Sequence, residues 1–317
     1  MRQVIRQIKS VAYAPGQMDI PIPRTGYLGR IWVRFNGVLD NTGANAQIKP
    51  FRSPWELLQG ARLNVNGNLF PLSADGYGYE LLSRVMRPGY QDDSQMGGAV
   101  GKNTVQFTTP LAVTVTDENL TGIIHAGNPE TTIQLELLWR EATDPAFFTG
   151  PSATLTGTVE VWAESFLFSG NEQKPDISTL HNFTVVSQVL PGTGEQYITL
   201  PTLNQVYLRI IHVIDNAGSP LDLTEGMIFN LDIEDYEKPY TMTDGEMNSL
   251  QNYRYHGKVP VSTGARVWDM YWTRTLRDVV NSTGLSLFQS KITVPGGTTI
   301  NAGAKIYTYI ESLSPLN

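Results

Sequence analysis

No cysteine occurs among the 317 residues. Disulfides and thiolate chemistry are therefore excluded, and stability has to come from packing or oligomerisation. Charge is sparse as well, at 17% of residues against a usual value of about 25%. The formal net charge of −7 leaves no excess of Lys and Arg for a broad phosphate-binding face, which argues against direct nucleic-acid binding. No apolar run reaches the roughly 18 residues of a membrane-spanning helix. Residues 1–9 also lack the continuous apolar region of a secretory signal. A soluble chain made in the cytosol is expected, which would make the Asn-x-Ser/Thr sequons at Asn119, Asn182 and Asn281 chance matches.

Histidine is scarce too. His125, His181, His212 and His256 are the four present, and none has another His at metal-ligand spacing. There is no Gly-x-Ser-x-Gly elbow, no Walker loop and no dinucleotide fingerprint. No catalytic residue, cofactor or metal ligand is assigned on these grounds, and no enzyme activity is expected. Glu160 and Glu164 flank Trp162 on a strand-like run, but four residues of strand span roughly 13 Å. Glycosidase carboxylate pairs stand roughly 5 to 9.5 Å apart, so a solvated face or subunit contact is the better reading. Asp232, Glu234, Asp235 and Glu237 form the densest acidic cluster. It reads as an exposed loop, with structural Ca²⁺ as the alternative, although EF-hand spacing is lacking.

What the chain does have is 41% hydrophobic residues, 29 Gly and 19 Pro, the balance of a turn-rich all-β protein long enough for two cores. One pattern occurs twice: short alternating strands, one capped helix, then more strands. In residues 29–35, Ile31, Val33 and Phe35 fall on one face and Arg30, Trp32 and Arg34 on the other. Ser53, Pro54, Glu56 and Gly60 mark a helical turn or two, and Asn66-Gly67 a hairpin. A helix opened by Ser73 or Asp75 is expected over residues 77–85, burying Leu81, Leu82 and Val85. In the second half a capping box at Thr243 and Glu246 opens a helix over residues 244–255, closed by Gly257. Strands are expected near 105–115, 131–139, 155–168, 181–190, 195–200, 205–214, 227–233, 266–273, 284–292 and 304–312.

Residues 1–12 read as a short amphipathic helix, with Arg2, Arg6 and Lys9 on one side and Val4, Ile5, Ile8 and Val11 on the other. Such an arm either packs on a neighbouring chain or lays its basic face on anionic lipid headgroups. Residues 169–178 are the expected linker. The expected organisation is thus an N-terminal helical arm (1–15), a first β domain (16–170) and a second (171–317).

This order of elements resembles the double jelly-roll major capsid proteins of tailless, icosahedral, membrane-containing viruses such as tectiviruses, and more distantly the adenovirus hexon. The resemblance is carried by residues 26–35, by residues 54–85 and by residues 119–124 leading into 131–139, and as a pattern it covers nearly the whole chain. It implies two tandem eight-stranded jelly-roll β-sandwiches with short helices, standing upright to the capsid surface. Three chains would form a pseudo-hexagonal homotrimeric capsomer of a virion assembled in the host cytoplasm, as in a bacteriophage. Its partners would be itself, penton and minor capsid proteins, and an internal membrane met by Arg2, Arg6 and Lys9. Receptor attachment would fall to a separate spike protein. Loops 87–103, 215–226 and 275–283 are candidates to face outward. A second reading is a carbohydrate- or receptor-binding β-sandwich protein, motivated by Trp55, Trp162, Trp268 and Trp272, which are expected at the surface. A third is a jelly-roll glycosidase using Glu160 and Glu164.

Overall fold

The computed structural model describes residues 1–41, 47–87, 90–97, 100–115, 120–150, 152–202, 204–221, 226–234 and 236–316. It divides into two compact units, Met1–Thr184 with Leu316–Asn317, and Val185–Pro315.

The first unit contains β1 (Arg2–Ala12), β2 (Gly16–Pro21), β3 (Tyr27–Asn41), β4 (Gln47–Ile48), β5 (Leu58–Val65), β6 (Leu69–Ala74), α1 (Gly76–Met86), β7 (Gln95–Met96), β8 (Gly101–Ala112), β9 (Ile133–Trp139), β10 (Phe148–Thr149) and β11 (Thr154–Leu167). Its principal sheets run β1-β11-β3-β8, with β7 beyond, and β2-β9-β5-β6. Alternation builds the core: Ile31, Val33 and Phe35 of β3 are fully buried, and their neighbours in sequence stay partly exposed on the other face. Phe35 stacks on Phe107 at 5.7 Å and meets Trp139 of the other sheet at 5.8 Å. Opposite each other on β3 and β11 lie Gly37 and Gly157. A Cβ on Gly157 would stand 2.7 Å from Asn36 O and 2.9 Å from the Phe35 ring, so only glycine fits there.

Two expectations are corrected here. The N-terminal arm is a strand, not a helix: β1 pairs with β11 from Arg2↔Leu167 to Ala12↔Thr158, with a bulge between Gln7 and Lys9. Pairing to the otherwise open edge of β11 supplies more backbone hydrogen bonds than one isolated helix of this length could keep in water. The turn at Pro54 is a single 3₁₀ turn, Trp55–Leu57, without a side-chain cap from Ser53.

The second unit is entered along β12 (Thr179–Val189), whose first half belongs to the first unit, where Phe183 and Thr184 run parallel to Leu72 and Ser73. The division thus falls inside a strand, not in residues 169–178. There follow β13 (Gly194–Thr199), β14 (Val206–Asp215), β15 (Ile228–Ile233), β16 (Tyr236–Thr243), α2 (Asp244–Tyr255), β17 (Ala265–Asp269), β18 (Val280–Asn281), β19 (Phe288–Val294) and β20 (Lys305–Pro315). The sheets run β12-β20-β14-β17 and β13-β19-β15-β16, with β18 beside β14. Tyr207, Ile210, Phe229, Leu231, Phe288 and Ile292 form the core between them.

Each unit therefore places its first, eighth, third and sixth principal strands in one sheet and its second, seventh, fourth and fifth in the other. A helix follows the fifth in both. That is the jelly-roll order, twice. Strand β16 was not foreseen, because Lys238 and Pro239 break the usual strand composition. It lies at a sheet edge, where both residue types are tolerated.

Candidate functional site

The carboxylates beside Trp162 are neutralised across the sheet. Glu160 lies 3.9 Å from Arg34, and Glu164 lies 3.8 Å from Arg30. Trp162 sits opposite Trp32, so the outward face of β11 and β3 carries two half-buried indoles between two ion pairs. Arg30 lies 5.6 Å over the Trp32 ring. A shallow hollow of about 510 Å³ opens next to it, lined by Trp32, Tyr90, Gln91, Asp93, Thr108 and Pro110. Each of the two carboxylates thus faces a guanidinium group across the sheet, with the indoles between the pairs.

The histidines are dispersed. His125 stacks on Tyr27 at 4.4 Å, and His181 Nδ1 lies 3.0 Å from Ala112 O. His212 is held between Thr308 Oγ1 at 3.0 Å and Ser290 Oγ at 2.8 Å. This Ser-His contact is wholly buried, which bars access by a substrate, and its third member is a hydroxyl where a triad needs a carboxylate. Burial pushes the His212 imidazole down to about 3, so it packs as a neutral ring.

Of the acidic cluster, Asp235 and the side chain of Glu237 lie outside the described residues, as does the sequon at Asn119. Asp232 accepts from Gln289 Nε2 at 3.3 Å, while Glu234 accepts from the Ser286 backbone and hydroxyl. These hydrogen bonds hold Glu234 below the usual carboxylate range. The two acids are thus committed to different partners.

Arg2, Arg6 and Lys9 are set on β1. Arg2 and Lys9 are exposed, whereas Arg6 is half-buried and donates to Thr25 Oγ1 at 2.7 Å. In register they stand opposite Leu167, Ala163 and Val161. The bulge at Gln7 and Lys9 is what brings Lys9 onto the same side of the strand as the other two.

Two of the four tryptophans expected at the surface are buried: Trp55 and Trp268 are each 5% exposed. Trp272 is open at 41%. Beside it a cavity of about 240 Å³ lies between β16 and β17, walled by Leu231, Tyr240, Met242, Trp268 and Trp272, with Arg254 and Asp278 among its polar groups.

A scan of protein-family models finds no match to this sequence, and a search of curated proteins finds no significant one. Solved structures do match. The major capsid protein of STIV, Sulfolobus turreted icosahedral virus, superposes with a TM-score of 0.76 at 15% identity over 99% of this chain and 97% of that one. The chain is a double jelly roll. The PBCV-1 virus capsid structure follows at TM-score 0.65 and 12% identity, covering 99% of this chain and 95% of that one. The major capsid protein P2 of bacteriophage PM2 matches at 0.57 and 11%, over 100% and 98%.

Sequence reasoning missed the way this double jelly roll covers its second helix and the adjoining edge. Gln251 of α2 donates to Ala265 O at 3.1 Å and accepts from Val267 N at 2.7 Å, hydrogen-bonding two residues of β17. Tyr255 donates to Asp269 at 2.7 Å, and Asp244 pairs with Arg266. Only the spacing of Asp244, Met247, Gln251 and Tyr255 along one helix face could have pointed to this.

Proposed function

We propose that this chain is the major capsid protein of an icosahedral virus, a structural protein with no catalytic role. What carries this reading is the jelly-roll order repeated in tandem, together with an end-to-end likeness to viral capsid proteins that leaves almost nothing of either chain unmatched. Three chains would associate as a pseudo-hexagonal capsomer of six barrels, with neighbouring capsomers, penton and minor capsid proteins as further partners. The low charge suits it, since lateral faces that pack repeatedly are favoured by weak charge and covered sheet edges.

In this reading the basic end of β1 faces an internal membrane, with Arg2 and Lys9 meeting anionic headgroups from a strand. Exposed lysine and arginine near such a surface contribute about 1 kcal/mol each. Flotation with phosphatidylglycerol vesicles should show binding that falls when Arg2 and Lys9 are both changed to Gln. Binding that is absent, or indifferent to the change, would remove the membrane assignment.

The capsid reading is tested by the absolute mass in solution, from size exclusion with light scattering. A particle three times the 35.1 kDa of the chain, forming hexagonal arrays or shells by electron microscopy, is expected. A persistent monomer that forms no lattice would overturn it.

A further inference from the structure

The cavity beside Trp272 has no part in the reading above, and its chemistry is specific. It opens where the two sheets of the second unit end, at β16 on one side and at β17 with its covering helix α2 on the other. Its volume of about 240 Å³ is below the roughly 300–1,000 Å³ of pockets for drug-sized ligands, so it suits one ring and not an extended chain. Two large aromatic rings stand partly open at it, Tyr240 at 38% and Trp272 at 41%. A third, Trp268, is 95% withdrawn from solvent (5% exposed), and its indole Nε1 has no hydrogen-bond partner among the described residues.

The polar groups narrow the choice of ligand. Arg254 donates to Asp269 O at 3.1 Å and lies 5.6 Å over the Trp272 ring, which fixes its guanidinium near the cavity. Asp278 supplies a carboxylate, flanked by Arg277 at 3.2 Å and by Thr273 Oγ1 at 3.4 Å. Asp269 is already occupied by Arg209 and Tyr255. An anion would therefore meet Asp278 as well as Arg254. An alkyl chain would strip water from both and replace none of their hydrogen bonds. A ring with one apolar face and a rim of hydroxyls satisfies both demands: stacking on the aromatic walls, and hydroxyls that donate to Asp278 and accept from Arg254.

We propose that this cavity binds one neutral pyranose ring of a glycan, giving the second unit a sugar-recognition site. The proposal is independent of assembly, because every wall residue belongs to the second unit.

Saturation-transfer NMR on the full-length chain, with the methyl glycosides of glucose, galactose, mannose and N-acetylglucosamine as probes, tests it. Transfer to the ring protons of at least one glycoside is expected. The affinity should fall about tenfold, the effect of a single lost stacking or charged contact, in Trp272→Ala and separately in Asp278→Asn. Trp272 also packs against Arg254 and Tyr255, so solution mass and thermal midpoint are measured alongside, and Asp278→Asn, which preserves shape, separates lost binding from lost folding. Absence of transfer from all four probes would overturn the proposal. So would transfer that both variants leave intact, or preferential binding of octanol that the glycosides fail to displace.

Discussion

Both units put a helix after the fifth strand of the same strand order, and they cover it in opposite ways. In α1, Gly76–Met86, nine of the 11 residues are buried. In α2, Asp244–Tyr255, four of 12 are, along a single stripe. The first helix is walled in by charge as well as by apolar side chains. Arg52 reaches Asp75 at 2.5 Å and Glu56 at 3.0 Å, Arg140 reaches Glu56 at 2.7 Å, and Arg84 reaches Glu80 at 2.7 Å. The second helix leaves Tyr253 76% exposed and instead uses polar side chains to hydrogen-bond β17. One topology therefore tolerates a helix as part of the core or as a cover on a sheet edge, and the side chains around it decide which.

Aromatic truncation should break the comparison most sharply. Tyr79 of α1 is fully buried, donates to Ala61 O at 2.9 Å and packs on Phe183 at 5.3 Å. Tyr79→Ala should destabilise the first unit by about 3–5 kcal/mol. Tyr253→Ala on α2 should change stability by less than about 0.5 kcal/mol. Hydrogen exchange resolved to β3 and β14 would score each unit separately, and equal losses from the two variants would contradict the picture. The helix caps should differ next most. Asp75 accepts from Gly78 N at 2.7 Å and also pairs with buried Arg52, so Asp75→Ala should cost about 3 kcal/mol. Thr243, exposed in its capping box, should cost about 1 kcal/mol when changed to Ala. Chemical denaturation of the two variants measures this difference.

How far these features could be read from the sequence follows from how local they are. The capping box at Thr243 and Glu246 and the Asp75 cap are decided within one helical turn, and both helices were expected within a residue of where they lie. The Asn66-Gly67 hairpin is likewise local, both residues adopting positive φ, 55° and 78°. Strand β1 is not local, because its conformation is set by β11, some 150 positions away in the register. A bulge also disturbs the period-2 signal that would have marked it. The aromatic cavity draws Tyr240, Trp268 and Trp272 from β16, β17 and the loop beyond. No spacing in the sequence announces that they meet, and two of the tryptophans expected at the surface turned out to be buried.

Acidity should pull the two units in opposite directions, which gives the mildest and most discriminating test. In the first unit, burial raises the Glu80 carboxyl from 4.5 to about 7, against the opposing pull of Arg84 and the Tyr90 hydroxyl. Its folded form holds a proton that the unfolded chain has released, so its contribution is fully present below about pH 4.5 and is lost as pH rises towards 7. In the second unit, burial lowers His212 from 6.5 to about 3. The folded form stays neutral while the unfolded chain takes up a proton, so that contribution is fully present above about pH 6.5 and is lost as pH falls towards 3. Each group alone changes stability by about 1.4 kcal/mol per pH unit inside its window. Between pH 4.5 and 6.5 the windows overlap, so raising the pH there should weaken protection in β3 while strengthening it in β14. Glu80→Gln should reduce the first dependence, the remainder coming from Glu56, which burial also raises to about 7, and should leave the second unchanged; His212→Gln should do the reverse. If both units followed pH in the same direction, and neither variant altered its own unit's slope, the contrast between a carboxyl buried in one core and an imidazole buried in the other would not be what sets their acid response.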